Sequence, residues 1–224
     1  MFIDRSMTKD VITVSPEDEI AAAQSLLARH RIRHLPVVDE KGILVGIVTD
    51  RDIRSAMPSM VLSESEKEDE SRRLAFMKVK DIMTRNPVTI SPTQTLPDAI
   101  LMMQKLKMGA FPVVDQDGKL KGIISVRDLM RAFVNVLGLE EKGALIGIVV
   151  EDKVGQMKVI VDAITEQGVS IGSILVSRTW EEGKRAVFPY LMTGNIRRVK
   201  NRLRELGFTL IDPMEWSLDQ LPKK

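Results

Sequence analysis

An internal duplication constrains this chain more than anything else in it. Residues 7–57 laid over 83–133, an offset of 76 with no gap, agree at about a third of their positions. The shared positions include Met7/Met83, Thr13/Thr89, Ser15/Ser91, Pro16/Pro92, Pro36/Pro112, Val37/Val113, Val38/Val114, Asp39/Asp115, Gly42/Gly118, Gly46/Gly122, Arg51/Arg127 and Asp52/Asp128. Turn residues and strand residues are kept together, so the repeating object is a folding unit. Each copy ends on the same device, Gly46-Ile47-Val48-Thr49-Asp50-Arg51-Asp52 and Gly122-Ile123-Ile124-Ser125-Val126-Arg127-Asp128. An apolar β-branched run stops at a hydroxyl residue, and a helix-like stretch follows. The hydroxyl stands where a helix N-cap stands, which makes the helix start a seat for an anion. An Asp one turn inside the helix is placed to accept hydrogen bonds from a ligand diol.

The elements of one unit follow from its periodicity. Val11–Val14 reads as a short extended run, and Ser15-Pro16-Glu17-Asp18 as a helix start with Ser at the cap and Pro in the first turn. Apolar Ile20, Ala23, Leu26 and Leu27, and in the second copy Leu96, Ala99, Ile100 and Met103, recur at three and four, which predicts a helix with one buried stripe. Leu35–Val38 and Leu44–Val48 predict a hairpin, with Gly42 supplying a positive φ in its turn. A last helix is expected over Arg51–Met57. A β-α-β-β-α unit of this size cannot bury its face alone, so two copies are expected to pack together with clefts between them.

The stretch 63–75 lacks apolar residues over most of its length and reads as a charged linker, either a flexible connector or a lid. Beyond residue 143 the pattern changes. Ala144–Val150 predicts a strand, Gln156–Gln167 a helix, Ile171–Ser177 and Arg185–Met192 two strands joined by a hairpin at residues 180–184, Asn195 a cap for a basic helix through Leu206, and Phe208–Ile211 a last strand. The order is β-α-β-β-α-β, the ferredoxin-like arrangement. The expected domains are therefore 1–62, 76–138 and 143–214, with a tail at 215–224.

Composition closes several routes to function. The chain has 224 residues, 33 Lys and Arg against 31 Asp and Glu, and no cysteine. A net charge of +2 gives no global field for nucleic acid, and the absence of thiols excludes disulfides, thiolate zinc and cysteine nucleophiles. No apolar run is long enough to span a bilayer and the N-terminus has no signal-peptide order, so a soluble cytoplasmic protein is expected. Neither a Gly-x-Ser-x-Gly elbow nor a P-loop is present, so no enzyme is expected. His30 and His34 have a metal-like spacing but no accompanying ligand, and metal binding is not expected.

The duplicated half resembles a tandem cystathionine-β-synthase (CBS) domain pair, or Bateman module, through Gly-hydrophobic-hydrophobic-Thr/Ser-x-x-Asp preceded each time by Pro-Val-Val-Asp and a Gly turn. That resemblance implies adenine nucleotides, AMP, ADP or ATP ahead of NAD or S-adenosylmethionine, bound in the clefts between the repeats. Asp52 and Asp128 would accept the ribose hydroxyls, with Thr49 and Ser125 as hydroxyl partners. The base would lie against Val11, Ile12 and Thr13 with His34, Leu35 and Pro36, or against Pro87, Val88 and Thr89 with Ala110, Phe111 and Pro112. Arg51 and Arg127 either face a phosphate or form surface ion pairs. Cationic Arg33 and His34 stand where the second copy has Gly109 and Ala110, so the first cleft is expected to favour the more phosphorylated ligand.

The last 80 or so residues resemble an ACT domain, a small regulatory module that often binds amino acids at a dimer interface. Asp152-Lys153-Val154-Gly155 carries the likeness, and Asp152, Val154, Gly155 and Ser170 are the ligand candidates, although Gly168-Val169-Ser170 departs from the usual Asn at the second strand. The combination is similar to the bacterial acetoin-utilisation accessory proteins. The expectation is a non-catalytic, homodimeric regulator that needs no cofactor and signals to a partner such as a regulated enzyme. A dimeric scaffold or a nucleic-acid binder, through the basic helix from Arg197 to Arg204, is the alternative.

Overall fold

A computed structural model describes residues 1–57 and 76–211. The expected linker at 63–75, the last residues of the first expected domain and the tail at 215–224 lie outside the described residues. Two compact units divide the chain, Met1–Met130 and Arg131–Lys224.

In the first unit the earlier repeat is built from α1 (Ile20–His30), β1 (His34–Val38), β2 (Leu44–Thr49) and α2 (Asp50–Ala56). A short α3 (Val79–Ile82) and β3 (Thr84–Arg85) lead into α4 (Leu96–Leu106), β4 (Ala110–Val114), β5 (Leu120–Ser125) and α5 (Val126–Leu137), the last of which runs on past Met130 into the second unit. β1 and β2 pair antiparallel, as do β4 and β5, and each hairpin turn carries a Gly at positive φ, Gly42 at 77° and Gly118 at 76°. Asp39 and Asp115 tighten these turns, each carboxylate accepting from the backbone N–H four residues on, at 2.8 and 2.9 Å. The turns also join: Leu44 N–H donates to the Gly118 carbonyl and Leu120 N–H to that of Gly42, each at 3.1 Å.

Two local expectations are corrected. The extended run at 11–14 forms no strand; only Val14 bridges, parallel, to Val37, and Ile90 does the same to Val113. The first helix starts at Ile20, five residues after Ser15. Asp18 Oδ2 accepts the Ser15 N–H at 2.8 Å and Ser15 Oγ accepts the Glu17 N–H, so side-chain bonds close a turn in place of the helix. In the second repeat Thr95 caps α4 with a capping box to Asp98. The hairpin strands and α2 fall within one residue of their expected bounds.

The leading segments of the two repeats are exchanged. Ile3 and Asp4 donate backbone hydrogen bonds to the Gln94 and Pro92 carbonyls, and Leu96 to that of Met1; seventy-six residues on, Val79 and Lys80 donate to Asp18 and Pro16, and Ile20 to Met77. Residues 1–8 therefore pack on the second repeat, and residues 77–85 on the first. Thr8 bridges Ile123 in β5, while β3 pairs with Gly46 and Ile47 of β2. The first repeat's core, Val14, Ile20, Ala23, Leu27, Leu35, Val37, Val48 and Ile53, accordingly contains Val79.

The second unit holds β6 (Ala144–Leu145), β7 (Gly147–Glu151), α6 (Gln156–Thr165), β8 (Ile171–Glu181), β9 (Lys184–Leu191), α7 (Arg197–Glu205) and β10 (Thr209–Ile211). The antiparallel sheet runs β10-β7-β9-β8, and β6 extends the line of β7 beside β9. With β6 and β7 as one interrupted strand, the order is β-α-β-β-α-β. Both helices bury their apolar stripes on the sheet: Ile160, Ala163, Ile164, Val199 and Leu203 pack with Ile146, Ile148, Val150, Val187 and Leu191. β8 is longer than expected, reaching Glu181. The expected cap Asn195 stands one residue before the helix junction, with its Oδ1 accepting the Arg197 N–H at 3.4 Å. Among the described residues no helix is long and apolar enough to cross a membrane, and no group of three His, Cys, Asp or Glu could hold a metal ion.

Candidate functional site

The two hydroxyl–carboxylate pairs are built alike. Thr49 ends β2 and caps α2; Asp52 Oδ2 accepts from Thr49 N–H at 2.8 Å and from Thr49 Oγ1 at 2.7 Å, while Thr49 Oγ1 accepts the Asp52 N–H at 3.3 Å. Ser125 and Asp128 repeat this at 2.9, 2.6 and 3.4 Å. A capping box of this kind fixes the carboxylate at the first helical turn and directs one oxygen back onto the chain.

The start of each hairpin lies beside its pair. His34 is the ladder partner of Thr49, and Ala110 of Ser125. The Arg33 carbonyl accepts the Asp50 N–H at 3.1 Å, and the Gly109 carbonyl accepts the Val126 N–H at 3.0 Å. The His34 ring crosses to the other repeat, where a Cβ on Gly109 would stand 3.6 Å from its Cε1. Burial holds the His34 pKa below its ordinary value; Arg33 acts in the same direction and Asp52 opposes both. The half-buried imidazole is therefore neutral at pH 7 and able to accept as well as donate.

The other expected residues divide by exposure. Leu35 and Phe111 are wholly buried, so only their backbone is available to a ligand, whereas Ala110 and Pro112 are buried at the strand itself. Val11, Ile12, Thr13, Pro36, Pro87 and Thr89 flank the bridges at Val14 and Ile90; Pro36 and Pro112 carbonyls accept those residues' N–H groups at 3.1 Å. Val88, Arg51 and Arg127 are exposed, as is Arg33. In the second unit Asp152 is already engaged by Arg185 Nη2 at 2.6 Å, Gly155 stands at φ 95° before α6, and Val154 and Ser170 are exposed.

Sequence reasoning missed Met7-Thr8 and Met83-Thr84. A Cβ on Gly46 would stand 2.6 Å from Met83 Sδ and 3.1 Å from the Thr84 carbonyl oxygen; on Gly122 it would meet Met7 Sδ at 2.5 Å and the Thr8 carbonyl oxygen at 2.9 Å. The glycine heading each Gly-x-x-Thr/Ser-x-x-Asp run is thus required by the exchanged segment crossing it. Thr8 goes further: its Oγ1 donates to Asp128 Oδ1 at 3.2 Å. The signal in the sequence was the recurrence of Met-Thr at the offset of 76, outside any expected element.

The CBS domain pattern matches residues 3–59 and 79–135. A CBS domain-containing protein of Dictyostelium discoideum is 36% identical over 137 residues, covering 61% of this chain and 94% of that one. An inosine-5'-monophosphate dehydrogenase of Korarchaeum cryptofilum is 38% identical over 121 residues, but these are 54% of this chain and only 22% of the dehydrogenase. Among solved structures, CBSX2 in complex with AMP superposes with a TM-score of 0.51 at 29% identity, over 59% of this chain and 96% of that one. A structure described as that of an acetoin utilization protein, AcuB, from Vibrio cholerae superposes with a TM-score of 0.53 at 27% identity, over 62% of this chain and 95% of that one.

Proposed function

We propose that this chain, which belongs to the CBS domain family, is a non-catalytic regulator that binds an adenine nucleotide at its paired repeats. The observation that carries the reading is the double construction of a capped hydroxyl–carboxylate pair, Thr49/Asp52 and Ser125/Asp128, beside the start of each hairpin. A carboxylate fixed in that way can accept a ribose diol, and apolar side chains with free backbone groups suit a purine. CBSX2, whose solved complex contains AMP, adds support from a relative. The base then lies along residues 11–13 with 34–36 or 87–89 with 110–112, with Arg51 and Arg127 toward phosphate. Arg33 gives the first cleft the stronger attraction for phosphate, and the His34 imidazole, neutral at pH 7, adds a hydrogen-bond donor in place of the charge expected of it.

In the same reading, 1–62 and 76–138 are the two CBS repeats, and 143–214 is an ACT domain that relays occupancy to a regulated enzyme or other partner. An amino-acid ligand there would meet Asp152, Val154, Gly155 and Ser170, and would have to share Asp152 with Arg185. A homodimer is supported by the exposed apolar side chains of Leu101, and of Val126 and Met130 one turn apart, on helices of the second repeat. Ligand would act by binding one arrangement of the repeats more tightly than another. The test is calorimetric titration of the purified chain with AMP, ADP, ATP, NAD and S-adenosylmethionine. Saturable binding of an adenine nucleotide, lost in Asp52→Ala, is expected; no heat with any of the five defeats the reading. Sedimentation as a monomer at working concentration defeats the dimer.

A further inference from the structure

We propose that the two clefts are unequal because Thr8 holds the second carboxylate shut, so that a ribose-bearing ligand enters through Asp52 alone while the leading segment is in place. The proposal rests on the nucleotide reading above and assigns Thr8 the role of a specificity-determining residue in that site.

The two pairs share one geometry up to the last bond. Thr8 lies opposite Ile123 and Thr84 opposite Ile47, so the same residue type crosses the same position of each repeat. Thr8 is tied to β5 in both directions, its N–H donating to the Ile123 carbonyl at 2.9 Å and its carbonyl accepting the Ile123 N–H at 3.0 Å. From there its hydroxyl reaches Asp128 Oδ1, while Ser125 holds Oδ2 through both its N–H and its hydroxyl. Both oxygens of Asp128 are thus taken by protein donors, and the residue is only 5% exposed.

Asp52 differs on both counts. Its Oδ2 takes the two Thr49 donors, and among the described residues none donates to Oδ1. Thr84 is exposed and makes no such reach, and Asp52 remains partly open to solvent. A cis-diol needs acceptors it can approach. At Asp52 one oxygen is presented; at Asp128 the ligand must first displace a hydroxyl anchored by two backbone bonds.

The experiment combines ligand titration with a ligand-free measurement. Calorimetry with AMP on the full chain is expected to give one site per chain, abolished by Asp52→Ala. Thr8→Val, which keeps the segment's shape and backbone bonds, is expected to add a second site that Asp128→Ala removes. Two equivalent sites in the unaltered protein, or one site in Thr8→Val as before, overturn the proposal. Alongside, double-mutant cycles in urea compare Thr8→Val/Asp128→Asn with Thr84→Val/Asp52→Asn. Coupling in the first cycle and additivity in the second is expected, and equal couplings overturn the lock. If AMP binds to neither the unaltered chain nor Thr8→Val, the nucleotide reading fails, and the cycles still decide whether Thr8 secures Asp128.

Discussion

Replacing Gly122 with alanine separates two physical effects of opposite sign. Gly122 sits in β5 at no positive φ, so backbone propensity alone predicts that alanine stabilises the strand by about 0.5–1 kcal/mol. Packing predicts the reverse. The new Cβ would stand 2.9 Å from the Thr8 carbonyl oxygen, against 3.4 Å for the near edge of ordinary contact, so the backbone of the crossing segment must retreat by 3.4 − 2.9, about 0.5 Å. If it holds its place, the overlap costs about 1–3 kcal/mol. If it retreats, the two Thr8–Ile123 backbone bonds, now 2.9 and 3.0 Å, stretch and lose much of about 0.5–1.5 kcal/mol each, with part of the burial of Met7. Either way the propensity gain is outweighed, and a net loss of about 1–2 kcal/mol is expected. Gly46→Ala should cost less, because its nearest backbone atom lies at 3.1 Å rather than 2.9 Å; at both positions the closest atom is a flexible methionine sulfur, Met83 or Met7, that can turn aside. Urea unfolding followed by far-ultraviolet circular dichroism measures both. A Gly122→Ala protein as stable as the parent, or Gly46→Ala the more damaging of the two, refutes the argument from the exchanged segments.

Two further outcomes follow from burial. Because the His34 pKa is lowered in the folded state, the unfolded chain binds the proton more readily; its contribution to stability is complete above the ordinary value of about 6.5 and is lost as pH falls from there through the folded value. The urea midpoint of the parent should therefore fall relative to that of His34→Gln between pH 7.5 and 5.5, and a difference that stays constant contradicts it. Phe111→Ala removes a wholly buried ring and should cost about 3–5 kcal/mol, whereas Val154→Ser, at a fully exposed loop position, should stay within about 0.5 kcal/mol in the same assay.

What the sequence disclosed is what short-range physics decides. The hairpins were legible because Gly42 and Gly118 and the carboxylates of Asp39 and Asp115 build each turn from within five residues. The capped pairs were legible for the same reason, since Thr49 and Asp52 satisfy each other across three positions. The start of α1 was misplaced because Ser15 and Asp18 can close a turn or cap a helix with identical residues, and the choice falls to the segment at 77–80 that bonds to Pro16, Asp18 and Ile20. That segment comes from the other repeat. Its partner was invisible to any local window, as was the bond from Thr8 to a carboxylate 120 positions away.

The exchange also explains why near-identical repeats need not behave identically. Each repeat is completed by a strip belonging to the other, so a substitution in one copy's leading segment alters the site of its twin and leaves its own unchanged. Gly109 and His34 show the same logic at the hairpin starts. The first repeat's imidazole lies against Gly109, where a Cβ would stand in ordinary contact 3.6 Å from its Cε1, and the second repeat carries Gly109 and Ala110 where the first has Arg33 and His34. Divergence on either side is therefore felt across the pair. A regulator can keep one site open and hold the other in reserve without losing the symmetry that folds it, provided the differences are confined to the crossing strips and the hairpin starts. In a Thr8→Val background, exchanging residues 33–34 with 109–110 should on the proposed reading leave the capping boxes intact and move the preference for ATP over AMP, read by calorimetry, to the second repeat.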